Sequence, residues 1–356
     1  MKTAYALTTT LSLLFAGGNA RAEESALPLA ISGYVDASVS GAAATDSLGD
    51  MAFGAAFDKL KLELEKKWEK VGLRADLAFA PDRTVTDTLE QGYVQVEAYG
   101  QTFRLGRFYA PIGFELIDAR DMYQFSHAAV FDFGIPSFLT GLAIEGALGQ
   151  IGYIVYVANG SDVLLDNNAA KTVGGRVHYA FSDDRQVGLS ALFGAEQDRA
   201  YAGKKLLPRL TLDIDAAWKL SDAAVLGTEI TYGQEKFSGL SPTDGTATVA
   251  VNSWYGGLLM LHYDYAAWGG VTARIDYFAD SSKVVGDPSF TRMGMGSDAT
   301  QLAFTLAPTF AFAEGAGAIV EFKYQTFAGN DADTAGGETP VSGDALLIAI
   351  EGTFAF

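Results

Sequence analysis

Cysteine is absent from this chain of 356 residues, and histidine occurs only three times. Without cysteine the protein forms no disulfide framework, thiolate metal site or cysteine nucleophile. Charged residues are scarce, at 19% of the chain against roughly 25% in an average soluble protein. Acidic residues outnumber basic ones by 43 to 25, which argues against a nucleic-acid partner because such partners require a basic stripe.

The N-terminal segment has the pattern of an export signal. Lys2 precedes an apolar stretch over residues 4–16, and Ala20-Arg21-Ala22 places small residues at a signal-peptidase spacing. The sequence therefore predicts a signal peptide over residues 1–22 and a single mature domain over residues 23–356, with a formal charge of −20 once Lys2 and Arg21 are removed. An uncleaved anchor is the alternative, although the stretch is too short to cross a bilayer as a helix.

The mature chain also lacks any run of 18 apolar residues, so we expect no membrane-spanning helix. Instead, apolar and polar residues alternate with the period of two that is typical of strands. We count sixteen such segments, of which only residues 59–70 also fit a helix. The segments are 31–40, 57–68, 70–80, 89–99, 101–109, 140–148, 150–159, 171–181, 186–195, 207–220, 223–236, 250–265, 267–280, 298–312, 317–328 and 344–356.

The connections between these segments alternate between short and long. This pattern is typical of an up-and-down barrel with tight turns at one rim and extended loops at the other. A soluble β-sandwich also alternates along its strands, but sixteen strands exceed what an open twisted sheet usually holds. The predicted fold class is an all-β, transmembrane, antiparallel β-barrel of about sixteen strands with short periplasmic turns and long extracellular loops. Aromatic residues near strand ends support it, including Tyr109, Tyr179, Trp218 and Tyr277.

The last residue of the chain is Phe356, and it shares a strand face with Phe354, Ile350 and Ile348. This ending resembles the C-terminal signature of outer-membrane proteins that their assembly machinery recognises. We therefore interpret Phe356 as an assembly signal and expect the barrel-assembly machinery to be a partner.

Four motifs between residues 106 and 176 resemble those of the OmpL-like β-barrel porin family. They are Gly106-Arg107-Phe108-Tyr109-Ala110-Pro111-Ile112-Gly113-Phe114-Glu115, Phe133-Gly134-Ile135-Pro136 before Thr140-Gly141, Val157-Ala158-Asn159-Gly160, and Asp166-Asn167-Asn168 with Lys171-Thr172-Val173-Gly174-Gly175-Arg176. The resemblance implies an outer-membrane porin, located in the bacterial outer membrane, with an unspecified solute.

A barrel of sixteen strands leaves an aqueous channel unless something fills it. The polar strand faces carry charges that would be costly against lipid, so we expect them to line a wet lumen. The predicted lumen-lining residues are Asp76, Asp213, Asp215, Glu229, Asp264, Arg274, Asp276, Glu321 and Lys323.

The predicted loop over residues 110–139 is the longest, and long structureless loops are usually functional. We expect it to fold into the lumen, where Glu115, Asp118, Arg120 and Asp121 face the basic wall residues Arg74, Arg104 and Arg176 and form the pore constriction. Opposed rows of charge put a field across the opening. A loop that only caps the rim is the alternative.

No catalytic pattern emerges. Ser126 and His127 are adjacent, but no nucleophile elbow is present and the spacing fixes no orienting acid. We therefore predict no enzyme, no cofactor and no metal. The predicted function is passive diffusion of small hydrophilic solutes or ions, with a weak cation preference, in contact with outer-membrane lipid and lipopolysaccharide. A homotrimer is compatible with the sequence. The alternative function is a closed barrel that acts as a surface adhesin or scaffold.

Overall fold

The fold was analysed in a computed structural model of the chain. The structure describes residues 29–81, 83–84, 87–196, 208–240, 247–281, 292–293, 297–332 and 338–356. The predicted signal peptide, residues 1–22, lies outside the described residues. Within the described part of the chain, no helix is long and apolar enough to cross a membrane.

Sixteen antiparallel strands form one closed barrel, in which each strand pairs with its neighbours in sequence and β1 pairs with β16. The strands are β1 (Ala30–Ala44), β2 (Gly54–Trp68), β3 (Val71–Phe79), β4 (Leu89–Ala98), β5 (Gln101–Tyr109), β6 (Phe138–Leu148), β7 (Ile151–Ser161), β8 (Thr172–Ser182), β9 (Arg185–Gly194), β10 (Arg209–Ser221), β11 (Ala224–Leu240), β12 (Ala247–Ala266), β13 (Gly269–Asp280), β14 (Ser297–Ala313), β15 (Ala316–Ala332) and β16 (Glu338–Ala355). The prediction of a sixteen-stranded barrel is confirmed.

Within the residues that the structure describes, helical structure is limited to short segments outside the strands. They are two 3-10 turns, Thr45–Asp50 and Ala119–Asp121, and one π-helical turn, Val130–Gly134. The latter two lie between β5 and β6, so this connection has a fold of its own.

The ambiguous segment at 59–70 is a strand as far as Trp68, and Glu69 and Lys70 form the turn to β3. Leu62 pairs with Gly33 of β1 on one side and with Leu77 of β3 on the other. Pairing on both sides satisfies the backbone hydrogen bonds, and this requirement overrides the helix preference of its Leu, Glu and Lys residues. The predicted loops 237–249 and 329–343 were too long, because β11, β12, β15 and β16 extend into both ranges.

The two faces of each strand differ as the alternation predicts. On β10, Leu212 and Ile214 are exposed on the outer surface, whereas Thr211, Asp213 and Asp215 are buried on the inner face. Successive side chains of a strand point to opposite faces. Alternate residues along each strand therefore face the lipid and the polar interior.

Aromatic side chains cluster near the short turns. Phe181 contacts Tyr179 and Trp218, with ring centroids 4.8 and 5.9 Å apart, and Tyr265 contacts Trp268 at 5.6 Å. Rings at this level are typical of the interfacial girdle of a membrane barrel.

Tyr109 is an exception to the predicted girdle. Its hydroxyl donates a 3.1 Å hydrogen bond to Glu90 and contacts the Lys61 ammonium, and both partners are buried inside the barrel. Upstream, Gly106 has a φ of 138°, and a Cβ there would lie 2.2 Å from the Gly92 carbonyl oxygen. Strand β5 is therefore irregular before Tyr109, and simple alternation assigns this residue to the wrong face.

The chain end closes the barrel. The Phe356 amide donates to the Gly33 carbonyl at 2.9 Å, and the Gly33 amide donates to the Phe356 carbonyl at 3.1 Å. The Phe356 ring is exposed on the outer surface.

Candidate pore and its inner loop

Residues 110–137, which we call the inner loop, join β5 to β6 and lie inside the barrel. The Phe114 amide donates a 2.7 Å hydrogen bond to Glu229 of β11, and the Gly113 amide donates one of 3.2 Å to Asp213 of β10. Gly227 makes room for the loop, since a Cβ there would lie 2.0 Å from the Phe114 ring. The loop thus leaves β5, accepts a 3.2 Å hydrogen bond from Ser190 of β9 at its Pro111 carbonyl, and then reaches β10 and β11.

A second attachment involves β13 and β15. Glu321 accepts hydrogen bonds from the amides of Phe125 at 2.8 Å and Ser126 at 3.1 Å. The Lys323 ammonium donates to the His127 carbonyl at 3.0 Å. Asp276 accepts a 3.1 Å hydrogen bond from the Ala129 amide. Wall carboxylates therefore bind backbone amides that the loop leaves without a partner of its own.

Arg274 is the centre of this second attachment. Its guanidinium donates to Glu115 at 2.6 Å, to the Ser126 carbonyl at 2.7 Å and to the His127 carbonyl at 3.1 Å. Glu115 in turn accepts a 2.7 Å hydrogen bond from the Ala128 amide. One buried cation therefore holds three points of the loop.

A third attachment binds the loop to β1 and β2 through Asp118. This carboxylate accepts a 2.7 Å hydrogen bond from the Tyr34 hydroxyl, lies 3.3 Å from the Lys59 ammonium and contacts the Lys61 ammonium. Burial by itself would raise the pKa of Asp118, but the charges of Lys61 and Lys59 and the hydrogen bonds from Lys61 and Tyr34 lower it to about 2. Asp118 is therefore ionised in the folded barrel at neutral pH.

Two apolar clusters complete the docking of the loop. Ile112 and Ile135 pack against inward-facing Phe108, Leu139 and Ile154. In the second cluster, Ala128, Ala129 and Val130 of the loop pack on β12 and β13, whose contributions are Trp254, Leu258, Met260 and Phe278. The Trp254 indole also donates to the Gly134 carbonyl at 2.9 Å. The inner face is thus not uniformly polar, and its apolar parts lie under the loop.

Several arginines inside the barrel keep part of their side chains exposed, among them Arg74 at 28%, Arg120 at 21%, Arg104 at 20% and Arg209 at 19%. Arg74 binds Asp76 at 2.8 Å, and Arg104 binds Glu145 at 3.2 Å. Arg120, from the loop, binds Glu63 of β2 at 2.9 Å. By contrast, Arg274 and Glu321 are buried between loop and wall, so they are not reachable from the lumen whereas the partly exposed arginines are.

Some of the other predicted site residues are exposed to the lumen, and others are buried on the inner face. Arg176 binds Asp215 through an Nη2–Oδ1 contact of 2.8 Å and is mostly covered. Asp121 is 43% exposed beside Arg120. Asp264 is half exposed, and His262 lies 3.1 Å from it. Asp76, Asp213, Asp215, Glu229 and Asp276 are buried on the inner face.

The partners of the loop acids differ from the predicted ones. Glu115 pairs with Arg274, and Asp118 pairs with Lys59 and Lys61, whereas Arg74, Arg104 and Arg176 pair with carboxylates of the wall. The path of the loop across the lumen decides these partners, and strand alternation gives no information on that path.

Sequence reasoning missed Tyr34, Lys61, Glu63 and Glu90. The available signal was the polar face of 59–67, on which Lys61 and Glu63 alternate with leucines. Strand alternation did not predict that Glu90 faces inward, because β3 and β4 shift register between Asp76 and Leu77. This shift turns one extra side chain inward.

His127, the histidine next to Ser126 in the inner loop, is held by other groups of the loop. The His127 ring Nε2 lies 2.8 Å from the Leu116 carbonyl, and the ring stacks on Phe131, while burial raises the pKa of the nearby Asp132 carboxyl. Among the residues that the structure describes, no three His, Asp or Glu side chains are arranged to hold a metal ion.

A sequence model of the family described as "Putative beta-barrel porin-2, OmpL-like" matches residues 28–356. The chain belongs to this porin family. The match covers all sixteen strands and confirms the resemblance that the four motifs between residues 106 and 176 indicate. No curated protein matches the chain.

Solved structures support the same fold. OmpT of Vibrio cholerae has a TM-score of 0.62 at 12% identity, over 92% of this chain and 97% of that one. The outer-membrane channel DcaP of Acinetobacter baumannii has a TM-score of 0.63 at 10% identity, with the same coverage. The anion-selective porin from Comamonas acidovorans has a TM-score of 0.60 at 14% identity, over 92% and 99%. This porin is therefore a protein of the bacterial outer membrane.

Proposed function

We propose that this porin is a passive channel for small hydrophilic solutes or ions, without covalent chemistry, and that the inner loop forms its constriction. The observation that carries the proposal is the attachment of the loop to opposite walls, through Glu229 and Arg274 on one side and Lys59 and Lys61 on the other. A segment held across a barrel reduces its cross-section, so solute size decides passage.

The charges left exposed inside the barrel support a local field at the constriction. Arg74, Arg104 and Arg120 contribute positive charge, and Asp121 contributes negative charge on the loop. Charged rings and rows at a narrow point select among permeating solutes. The sequence also predicts a weak cation preference from the net negative charge, for which reversal potentials in a salt gradient are the test.

Liposome swelling tests the channel directly. Liposomes that contain the purified protein should swell in a monosaccharide solution. The swelling rate should fall as the molecular size of the sugar increases. Replacement of residues 114–134 by a short Gly-Ser linker should increase the rate for larger sugars and raise single-channel conductance. A matched control shortens the connection between β7 and β8 within residues 163–167 and should change neither. It keeps Asp162, whose carboxylate accepts hydrogen bonds from the Ser137 and Phe138 amides at 2.9 and 2.8 Å. Impermeable liposomes would favour the alternative function, a closed barrel acting as adhesin or scaffold.

We also propose how the porin is processed, assembled and associated in the membrane. Residues 1–22 are removed on export, which the N-terminal sequence of the purified protein tests. Phe356 acts as an assembly signal for the barrel-assembly machinery. The barrel contacts outer-membrane lipid and lipopolysaccharide, and it forms a homotrimer. One of the matched OmpT structures is described as a trimer form, and the mass of the detergent-solubilised complex tests this state.

A further inference from the structure

The inner wall carries an indole ring that lies flat beside the end of the inner loop. Trp254 of β12 pairs with Gly233 of β11, and a Cβ on Gly233 would lie 1.9 Å from the Trp254 ring. The ring therefore crosses β11 in space that a larger residue would fill. Its Nε1 donates to the Gly134 carbonyl of the inner loop at 2.9 Å, and the side chain is buried. The wall and the loop thus hold the ring in one orientation.

Arg292, from the connection between β13 and β14, stacks on this ring. Its guanidinium carbon lies 3.9 Å from the centre of the Trp254 ring, which is a cation–π distance. The Arg292 backbone amide donates to Asp280 at the end of β13. Within the part of the chain that the structure describes, the half-buried guanidinium forms no ion pair and donates no hydrogen bond. Its N–H groups are therefore available to a ligand.

A second arginine lies close to Arg292 on the same wall. Arg209 of β10 donates to Glu235 of β11 at 2.7 Å and keeps 19% of its side chain exposed. Burial and, next, the charge of Arg209 lower the pKa of Arg292 to about 10. We call Arg209 and Arg292 the arginine pair. Two like charges that share a partly desolvated place attract an anion, because the anion offsets their repulsion.

Three carboxylates lie near Arg292, and each of them already has a partner. Glu235 binds Arg209. Asp280 accepts the Arg292 amide, and Asp162 accepts two backbone amides at the start of β6. The three carboxylates contribute negative charge around Arg292, so a ligand with a single negative charge is favoured over a dianion.

We propose that the arginine pair binds the carboxylate of a small organic acid on its way to the inner loop. A guanidinium offers two parallel N–H groups that match the two oxygens of a carboxylate. Stacking on Trp254 fixes the plane of one guanidinium, which reduces the entropy lost on binding. This inference rests on the proposed channel, because the acid reaches the arginine pair through the lumen. The net negative charge of the chain does not oppose it, since charges beyond a Debye length of about 8 Å are screened.

Isothermal titration calorimetry of the purified protein in detergent measures binding without requiring transport. The probes are propionate, its neutral isostere propionamide, and inorganic phosphate. We expect propionate to bind and to change the fluorescence of Trp254, phosphate to bind more weakly and propionamide to do neither. Arg292→Met keeps the backbone amide that donates to Asp280 and should bind propionate about tenfold more weakly, as expected for the loss of a charge-assisted pair of hydrogen bonds.

A second variant leaves the stacked guanidinium in place. The double substitution Arg209→Gln with Glu235→Gln removes the other arginine without leaving a buried carboxylate unpaired, and it should weaken propionate binding about threefold. The control is Arg185→Met, which removes an arginine from an exposed turn and should bind propionate as the wild type does. Heat-modifiable migration in gels verifies that each variant is folded.

The binding site is overturned if propionamide binds as well as propionate, if phosphate binds most tightly, or if Arg292→Met binds as Arg185→Met does. Unchanged binding in the double variant would overturn the role of Arg209. Liposome swelling in a monosaccharide separates this inference from the channel. Propionate binding by a protein that leaves liposomes impermeable would overturn the channel and the role of the arginine pair in permeation. Permeable liposomes without propionate binding would overturn the binding site alone.

Discussion

Arg274 of β13 and Glu115 of the inner loop form a 2.6 Å ion pair, and both side chains are almost completely buried. They are separated by 159 positions in the sequence. Arg274 also binds two loop carbonyls, so this pair lies at the point where the loop is most firmly attached to the wall. Several expectations about stability and conduction depend on that attachment.

The Arg274→Met variant removes the cation and leaves Glu115 buried without a counter-charge. Breaking a buried pair in this way costs about 3–5 kcal/mol. We expect the free energy of unfolding in detergent to fall by that amount and single-channel recordings to become noisier. The double variant with Glu115→Gln should recover part of the loss, and Arg185→Met at an exposed turn serves as the control. A stable, quiet Arg274→Met channel would contradict the role of the pair.

The contact between Asp118 and β1–β2 should depend on pH. The pKa of its carboxyl is lowered from 3.8 to about 2 in the folded protein. A lowered pKa means that the stabilisation is complete above the unfolded value and is lost as the pH falls towards 2. Wild type and Asp118→Asn should therefore differ in loop stability at pH 7, approach each other as the pH falls below 3.8, and converge only below pH of about 2. Single-channel noise as a function of pH measures this, and a difference at pH 2 as large as that at pH 7 would refute it.

Arg104 is one of the partly exposed arginines in the lumen. Substitution by Gln removes one positive charge close to the permeation path and leaves Glu145 unpaired. We expect the reversal potential in a salt gradient to shift towards cation preference, with a smaller effect at high salt because of screening. Arg185→Gln at the exposed turn between β8 and β9 should cause no shift. If both variants shifted the reversal potential equally, Arg104 would not lie beside the permeation path.

The outer wall is predicted to tolerate charge only near its edges. Leu261 is exposed on the lipid-facing side of β12, and Leu148 is exposed beside a short turn. Leu261→Arg should reduce the free energy of unfolding in lipid by about 2–4 kcal/mol, whereas Leu148→Arg should cost about 0–1 kcal/mol. Urea unfolding in lipid vesicles compares them. Similar costs would argue that one of these positions does not face lipid as assigned.

Phe356 closes the barrel against Gly33 through its backbone while its ring faces outward. Phe356→Ala keeps these backbone bonds and removes only the ring. We therefore expect near-normal stability of the folded barrel but reduced assembly in the outer membrane, seen as a lower folded fraction in cell envelopes. Phe312→Ala, which removes another exposed ring near a turn, is the control. If the folded fraction were the same for both variants, the Phe356 ring would contribute to lipid contact and not to assembly.

Strand number and face assignment could be predicted because a period of two is a local property. The alternation on β10, with Leu212 and Ile214 outside and Asp213 and Asp215 inside, is legible in the sequence and confirmed in the structure. Alternation assigned Tyr109 and Glu90 wrongly, because a glycine with a positive φ precedes Tyr109 and a register shift lies at Glu90. Local irregularities of this kind depend on the neighbouring strand.

The amino-acid sequence by itself determined the closed barrel, because alternating faces and regular turns leave few other ways to satisfy the backbone in lipid. Only the tertiary structure decided the path of the inner loop, and with it which charges are covered and which stay exposed. Glu229, Arg274 and Lys61 differ little from Arg74 or Arg104 in sequence pattern, yet the first three are buried beneath the loop. The physical reason is that the loop attaches through contacts between residues far apart in the chain, whose geometry follows from barrel closure.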